Sequence, residues 1–231
     1  MNFPAISLTE WHPFSVSSGP REDGVELHIR NLGDHTKLVV DLSKRLSANS
    51  KKSHTWIRVD GPYGKQNFNF RRFPVVFLCG GGVGITPVLG MLKDIYNVGE
   101  YGKGGEGARF QKHVMQCVYA MWIVPTEEDA SWFLRELKAC MRNAQNVESM
   151  PKLVVWLHVT KAKAGTVKAP LIAGRPNMQE VFDSMQTCYP TQAALCFACG
   201  PSPMVNELWD LSIKRTREGG RVDFHHETFE F

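Results

Sequence analysis

The chain has 231 residues, enough for one large domain or two modest ones, each with its own core. Its 43% hydrophobic and 22% charged residues are ordinary for a globular protein, and the formal charge of +4 is spread along the chain, which excludes a nucleic-acid footprint. Six scattered cysteines (Cys79, Cys117, Cys140, Cys188, Cys196 and Cys199), mostly in apolar runs, exclude a dense disulfide scaffold and point to a reducing compartment. The most apolar stretch, Pro74 to Leu92, is broken by Gly80, Gly81, Gly82, Gly84 and Pro87, so no membrane span is expected. The opening MNFPAISLTEW lacks the basic start and apolar run of a signal peptide.

Val25 to Arg30 alternates like a half-buried strand, and after Gly33 the spacing of Leu38, Val39, Leu42 and Leu46 predicts a helix. Trp56 to Val59 reads as a short strand ending at the turn pair Gly61-Pro62, and Lys65 to Arg72 as a linker. Val75 to Cys79 is then a continuous apolar run, the mark of a strand buried on both faces. A glycine-rich turn follows, then a helix from Pro87 to Tyr96 and a charged, glycine-rich loop from Asn97 to His113. Strands are expected at Val114–Ile123, Leu153–Val159, Ala194–Ala198 and Arg221–His225, and helices at Glu127–Cys140, Met178–Met185 and Met204–Ile213. Trp132, Phe133 and Trp209 sit at helical spacing and are assigned to the core. Buried strands alternating with helices mean parallel βαβ units. The fold class is therefore α/β, with a mostly extended first domain over residues 1–73 and a doubly wound parallel-sheet domain over 74–231.

The sharpest local signal is CGGGVGITP, Cys79 to Pro87, directly after a buried strand and directly before a helix. Glycines there let backbone approach a ligand, and a helix N-terminus offers amide donors to a pyrophosphate. Pro87 suits a first helical turn. The alternative is a tight turn with no ligand, and the usual G-x-G-x-x-G spacing is absent. A second turn, Cys199-Gly-Pro201, follows the strand Ala194–Ala198; strand C-terminal ends line the ligand crevice of a doubly wound sheet, although taken alone these residues read first as a plain turn. A third segment, HPFSVSS (His12 to Ser18), sets an aromatic among small hydroxyls, as a flat polar ring requires, or as an ordinary edge strand allows. Cys196 and Cys199 form C-x-x-C without a second pair, and His225, His226 and Glu227 alternate across a strand, so no metal site is read.

In order and spacing, HPFSVSS, GDHTKL (Gly33 to Leu38), VDGPYG (Val59 to Gly64), GGGVGITP and CGPSPM (Cys199 to Met204) resemble the ferredoxin–NADP reductase superfamily, and within it the ferric reductase/NADPH oxidase branch. The resemblance covers nearly the whole chain. It implies FAD and NADPH as cofactors, with hydride passing from NADPH to the flavin and single electrons onward. By resemblance, His12, Pro13, Phe14 and Ser15 cradle the flavin ring, with Ser15 near its reactive nitrogen, and Ser17 and Ser18 continue that segment. Arg30, Gly33 and Thr36 would hold the FAD pyrophosphate. Gly80, Gly81, Gly82, Gly84, Ile85 and Thr86 would hold the NADPH pyrophosphate, and Cys199, Gly200 and Pro201 would sit by the nicotinamide. A C-terminal aromatic, Phe229 or Phe231, would cover the flavin. The parent of such a chain passes electrons to haem in a transmembrane domain, for ferric chelates or oxygen, at the cytosolic face of a membrane; that haem domain is absent here.

The chain departs from the family in three places. Where relatives carry an Arg for the NADPH 2′-phosphate, this chain has Pro125 followed by Glu127, Glu128 and Asp129, which favours NADH unless Lys161 or Lys163 substitutes. The flavin barrel of relatives has antiparallel strands before HPFS that are missing here, so a partial barrel is expected. The Asn97–His113 insertion matches nothing. Two alternatives follow: a non-catalytic fragment that binds nucleotide only, or a soluble flavin/ferric-chelate reductase.

Overall fold

The computed structural model describes residues 1–20, 22–48, 54–63, 68–96, 114–148 and 150–227. The expected loop over 97–113 and the aromatics Phe229 and Phe231 lie outside the described residues.

From residue 75 onward the expected alternation is present. The strands are β1 (Val75–Gly81), β2 (Cys117–Val124), β3 (Lys152–Val159), β4 (Leu171–Ala173), β5 (Ala193–Cys199) and β6 (Arg221–Glu227). They form one sheet in the order β4-β3-β2-β1-β5-β6, with every pairing parallel. In chain order the helices are α1 (Asp34–Ala48), α2 (Ile85–Tyr96), α3 (Glu127–Ser131), α4 (Leu134–Asn146), α5 (Met178–Cys188) and α6 (Ser202–Arg217). Side chains alternate across each strand, so β1 feeds two cores. Val76 and Leu78 pack with Leu89 and Leu92 of α2 and Leu137 of α4. Val75, Phe77 and Cys79 pack on the other face with Phe182 of α5 and Leu208 of α6. Helices on both faces make the sheet doubly wound, and explain why β1 is apolar at every position.

Several boundaries differ from the sequence reading. The helix expected over Glu127–Cys140 is two helices. Phe133 leaves helical geometry at φ −121, ψ 9, and its ring packs edge-on against buried Trp122 at 5.4 Å. Trp132 is consequently turned outward, 44% exposed, and Trp209 is 46% exposed, so neither tryptophan belongs to the core. The edge strand β4 was not expected; three residues carry too little pattern to read. The supposed linker holds Phe70, buried in the core, and Phe68, stacked on His225 at 4.2 Å.

The first 73 residues depart most. Among the described residues there, α1 is the only α-helix, no strand forms, and only the antiparallel bridges Asn2↔Arg58 and Val16↔Leu27 occur. Neither Val25–Arg30 nor Trp56–Val59 becomes a strand. The Ser18 hydroxyl accepts from the Glu26 amide at 3.1 Å, so a side chain stands where a ladder carbonyl would. Val25, Trp56 and Val59 are 73%, 88% and 71% exposed, so the alternation has no second layer to bury against.

This region is nevertheless docked on α2. Gly90 leaves room for the Val16 and Ser18 carbonyls, 3.4 and 3.6 Å from where a β-carbon would stand. Lys93, 10% exposed, pairs with Glu26 at 2.5 Å and Glu22 at 3.4 Å. Its hydrogen bond to Lys93 holds the Glu26 carboxyl below the usual range. Burial alone would lower the Lys93 pKa, but the two carboxylates more than offset it and leave it raised. His28 closes the contact edge-on against Phe133 at 4.4 Å.

Candidate functional site

The chain runs outward from β1 through β2 and β3 to β4, then returns to β5 on the other side of β1. The C-terminal ends of β1 and β5 are therefore the point where strand order reverses, where doubly wound sheets bind ligands. The two glycine turns singled out from sequence meet there.

Their packing allows no β-carbon at several positions. At Gly84 one would collide with the Cys199 carbonyl; at Gly80 it would lie 2.7 Å from the Ile85 α-carbon; at Gly81, 2.7 Å from Pro201 Cδ. Gly200 faces Gly81 backbone at 3.0 Å. Gly82 is different: its φ of +57 is left-handed, and the nearest atom to its missing β-carbon is an Arg30 guanidinium nitrogen at 3.6 Å. The indole N–H of Trp122 donates to the Gly82 carbonyl at 2.8 Å and ties the turn to β2. Thr86 donates to the Val83 carbonyl at 3.0 Å, and Ile85 is buried in the core, so both shape the turn. Neither the Gly82–Gly84 turn nor the start of α6 has a side-chain cap; the Ile85 amide bonds back to the Gly82 and Val83 carbonyls, and the Met204 amide to the Pro201 carbonyl at 3.0 Å. The result is a backbone-lined cradle with one guanidinium over it, suited to a pyrophosphate.

Cys199 is buried at the end of β5, and burial pushes its thiol up to about 12, so it is a neutral thiol at physiological pH. Cys196 is likewise pushed up to about 12 by burial. Across from Cys199 in the ladder is Glu227, the last residue of β6, whose carboxyl burial raises above the ordinary range. A buried neutral thiol thus lies beside a carboxyl whose charged form burial disfavours. Glu227 was missed as a site residue. Its position next to two histidines read as strand alternation, and only the β5–β6 register brings it to Cys199.

The second cluster lies at the start of α1. His12 stacks on His35 with centroids 3.7 Å apart, and Phe14 packs edge-on against Phe3 at 6.3 Å. The Thr36 hydroxyl accepts from the Leu32 and Gly33 amides at 2.9 and 3.0 Å, forming the expected turn into the helix. Pro13 is exposed, and Ser15 is half-buried. Ser17 is committed elsewhere: fully buried, it donates to the Glu26 carbonyl at 3.0 Å and contacts His28 Nδ1 at 2.8 Å. Ser17 and Ser18 thus hold the segment together, and an Arg30 guanidinium nitrogen comes close to the Gly82 turn.

Residues 1–67 match a family described as FAD-binding domain. The respiratory burst oxidase homolog protein B of Solanum tuberosum is 26% identical over 272 residues, covering 99% of this chain and 31% of that protein. NADPH oxidase 1 of Mus musculus is 26% identical, covering 99% of this chain and 40% of its own length. The chain thus spans about a third of the curated relatives it matches. Among solved structures, a ferredoxin NADP+ reductase from Neisseria gonorrhoeae with bound FAD and NADP aligns at TM-score 0.57, 15% identity, over 94% of this chain and 80% of that one. The CS-b5R domains of human Ncb5or, NAD+ form, align at 0.58 and 16% identity, over 95% of this chain and 57% of that one. Motif order, the FAD-binding-domain match over residues 1–67, the oxidase relatives and the parallel-sheet likeness point the same way: the chain is similar to the ferredoxin–NADP reductase-like region of the ferric reductase/NADPH oxidase family.

Proposed function

We propose that this chain is an FAD-dependent NAD(P)H oxidoreductase region, with residues 1–73 on the flavin side and 74–231 on the nucleotide side. The observation that carries the reading is the meeting of the Gly80–Gly84 and Cys199–Pro201 turns where strand order reverses. When bound, the cofactors supply hydride transfer and the subsequent one-electron steps. The protein's part is binding, alignment and charge. The glycine turn and the α2 N-terminus bind the nucleotide pyrophosphate, with Arg30 as its cation. Cys199, Gly200 and Pro201 set the nicotinamide edge, and the neutral Cys199 thiol adds no charge there. Two features fit FAD: the aromatic and hydroxyl segment His12–Ser15, and the buried, unpartnered ring nitrogens of His12 and His35. Ser15, Phe229 and Phe231 keep their proposed places at the flavin.

Glu127 and Glu128 end the β2 crevice, where carboxylates suit the free 2′-hydroxyl of NADH. The Lys161 amide donates to the Pro125 carbonyl at 3.0 Å, so its backbone stands beside that corner and its side chain is the candidate cation for NADPH. In the parent protein, electrons would pass on to a transmembrane haem domain at the cytosolic face of a membrane, and from there to oxygen or ferric chelates. No helix among the described residues is long and apolar enough to cross a membrane.

One observation favours a second reading. The wide exposure of Val25, Trp56 and Val59 fits a chain that binds nucleotide without holding flavin. The deciding experiment mixes the purified chain with FAD, follows flavin fluorescence, then adds NADPH or NADH without oxygen. Quenching followed by bleaching is expected, with the faster nucleotide giving the preference. Nucleotide binding without flavin quenching would leave only the second reading.

A further inference from the structure

Three donor-bearing side chains meet beside α1. Glu10 and His12 lie in the segment leading to the flavin motif, and His35 is in the first turn of α1. Local bonds hold them together. The Met1 and His12 backbones exchange hydrogen bonds of 2.5 and 2.9 Å, and the Asn2 amide donates to the Ser7 and Glu10 carbonyls, both at 2.8 Å. Phe3 sits under the His35 ring at 6.0 Å.

Glu10 Oε2 lies 3.3 Å from His35 Nδ1 and 3.9 Å from His12 Nε2. One donor atom from each residue lies within 4.8 Å of the others. The two rings are stacked at an interplanar angle of 24°, and the Nε2 atoms of both are buried without a hydrogen-bond partner. A buried nitrogen without a partner is unfavourable. A cation held by Glu10 Oε2, His12 Nε2 and His35 Nδ1 would give the orphaned His12 nitrogen a partner. Donors around a tetrahedral zinc ion stand about 3.3–3.5 Å apart, given bonds of about 2.0–2.1 Å. The Glu10–His35 pair already has that spacing, the Glu10–His12 pair exceeds it by about half an ångström, and all three donors lie within 4.8 Å of one another.

We propose that Glu10, His12 and His35 form a binding site for a divalent transition-metal ion of the zinc class. Two imidazoles and one carboxylate suit that ion and leave a fourth position to water. His12 also belongs to the flavin segment, so metal and FAD exclude one another. That exclusion rests on the proposed function; the metal site does not.

Co²⁺ titrated into the flavin-free full chain, read by visible absorption, tests both parts. The expected result is an intense four-coordinate band that saturates at one ion per chain and is erased by Zn²⁺. Glu10→Gln and His35→Gln should each weaken Co²⁺ binding more than about tenfold, with circular dichroism and melting unchanged. Absence of the band, or a band that both variants leave intact, overturns the site. FAD should raise the apparent Co²⁺ dissociation constant; bound FAD that leaves it unchanged overturns the exclusion. If FAD itself fails to bind, the flavin reading and the exclusion that rests on it fail together, and the two variants still decide the site.

Discussion

Gly82 and Gly84 are two residues apart in one turn and answer to different constraints. Gly84 is fixed by its neighbour, because any β-carbon would strike the Cys199 carbonyl. Gly82 is fixed by its own backbone at φ +57, with open space up to Arg30. Gly84→Ala should force β1 and β5 apart, costing about 1–3 kcal/mol in urea unfolding and most of the nucleotide affinity. Gly82→Ala should cost about 1–2 kcal/mol of backbone strain while largely preserving affinity. Equal losses at both positions would refute the distinction. Glu227 gives a prediction with a sign. Its folded pKa is raised from 4.5 by burial, so its contribution to stability is full below that value and lost as pH rises through the folded pKa. Glu227→Gln should therefore melt higher than the parent at pH 8 and close to it at pH 4. A difference that does not vary with pH would assign Glu227 no titrating role. Gly80 to Gly84 were legible because glycine spacing after an apolar run is a local signal. Glu227 was not, because its importance lies in a ladder partner on another strand.

α2 serves two regions at once. Its N-terminus closes the glycine turn, its buried face joins the sheet core, and its remaining side receives the Val16–Gly19 segment through Gly90 and Lys93. Lys93→Met keeps the apolar stem but removes the cation from beside the Glu26 and Glu22 carboxylates. It should cost about 2 kcal/mol in chemical unfolding at pH 7. The Glu26 carboxyl is held below 4.5 by Lys93, so this contribution exists above 4.5 and fades as pH falls through the folded value. The gap between Lys93→Met and the parent should narrow in acid; a constant gap would mean that packing, not charge, is lost. Helix periodicity announced α2, but not that Gly90 and Lys93 face another region. The break at Trp132–Phe133 was hidden for the same reason: periodicity registers an apolar residue without showing that its ring must leave the helix to meet Trp122.

For the whole molecule, legibility followed burial. The doubly wound half was read almost strand by strand, since each central strand is apolar on both faces and that pattern survives any loop. The first 73 residues carry alternation without a covering layer, and alternation alone does not make strands when side chains such as Ser18 take the ladder bonds. The sheet order has one more consequence, measured in time. β1 pairs with β2 on one side and β5 on the other, yet Ala194, the partner of Val75, comes more than a hundred residues later. At translation rates of about 5–20 residues per second, an apolar strand edge waits roughly 6–24 seconds for its second neighbour. Over that interval Gly84 has no Cys199 carbonyl to rest against. The glycine cradle thus matures among the last features of the nascent chain, and its unfinished edge is where a chaperone or a stray strand would first take hold.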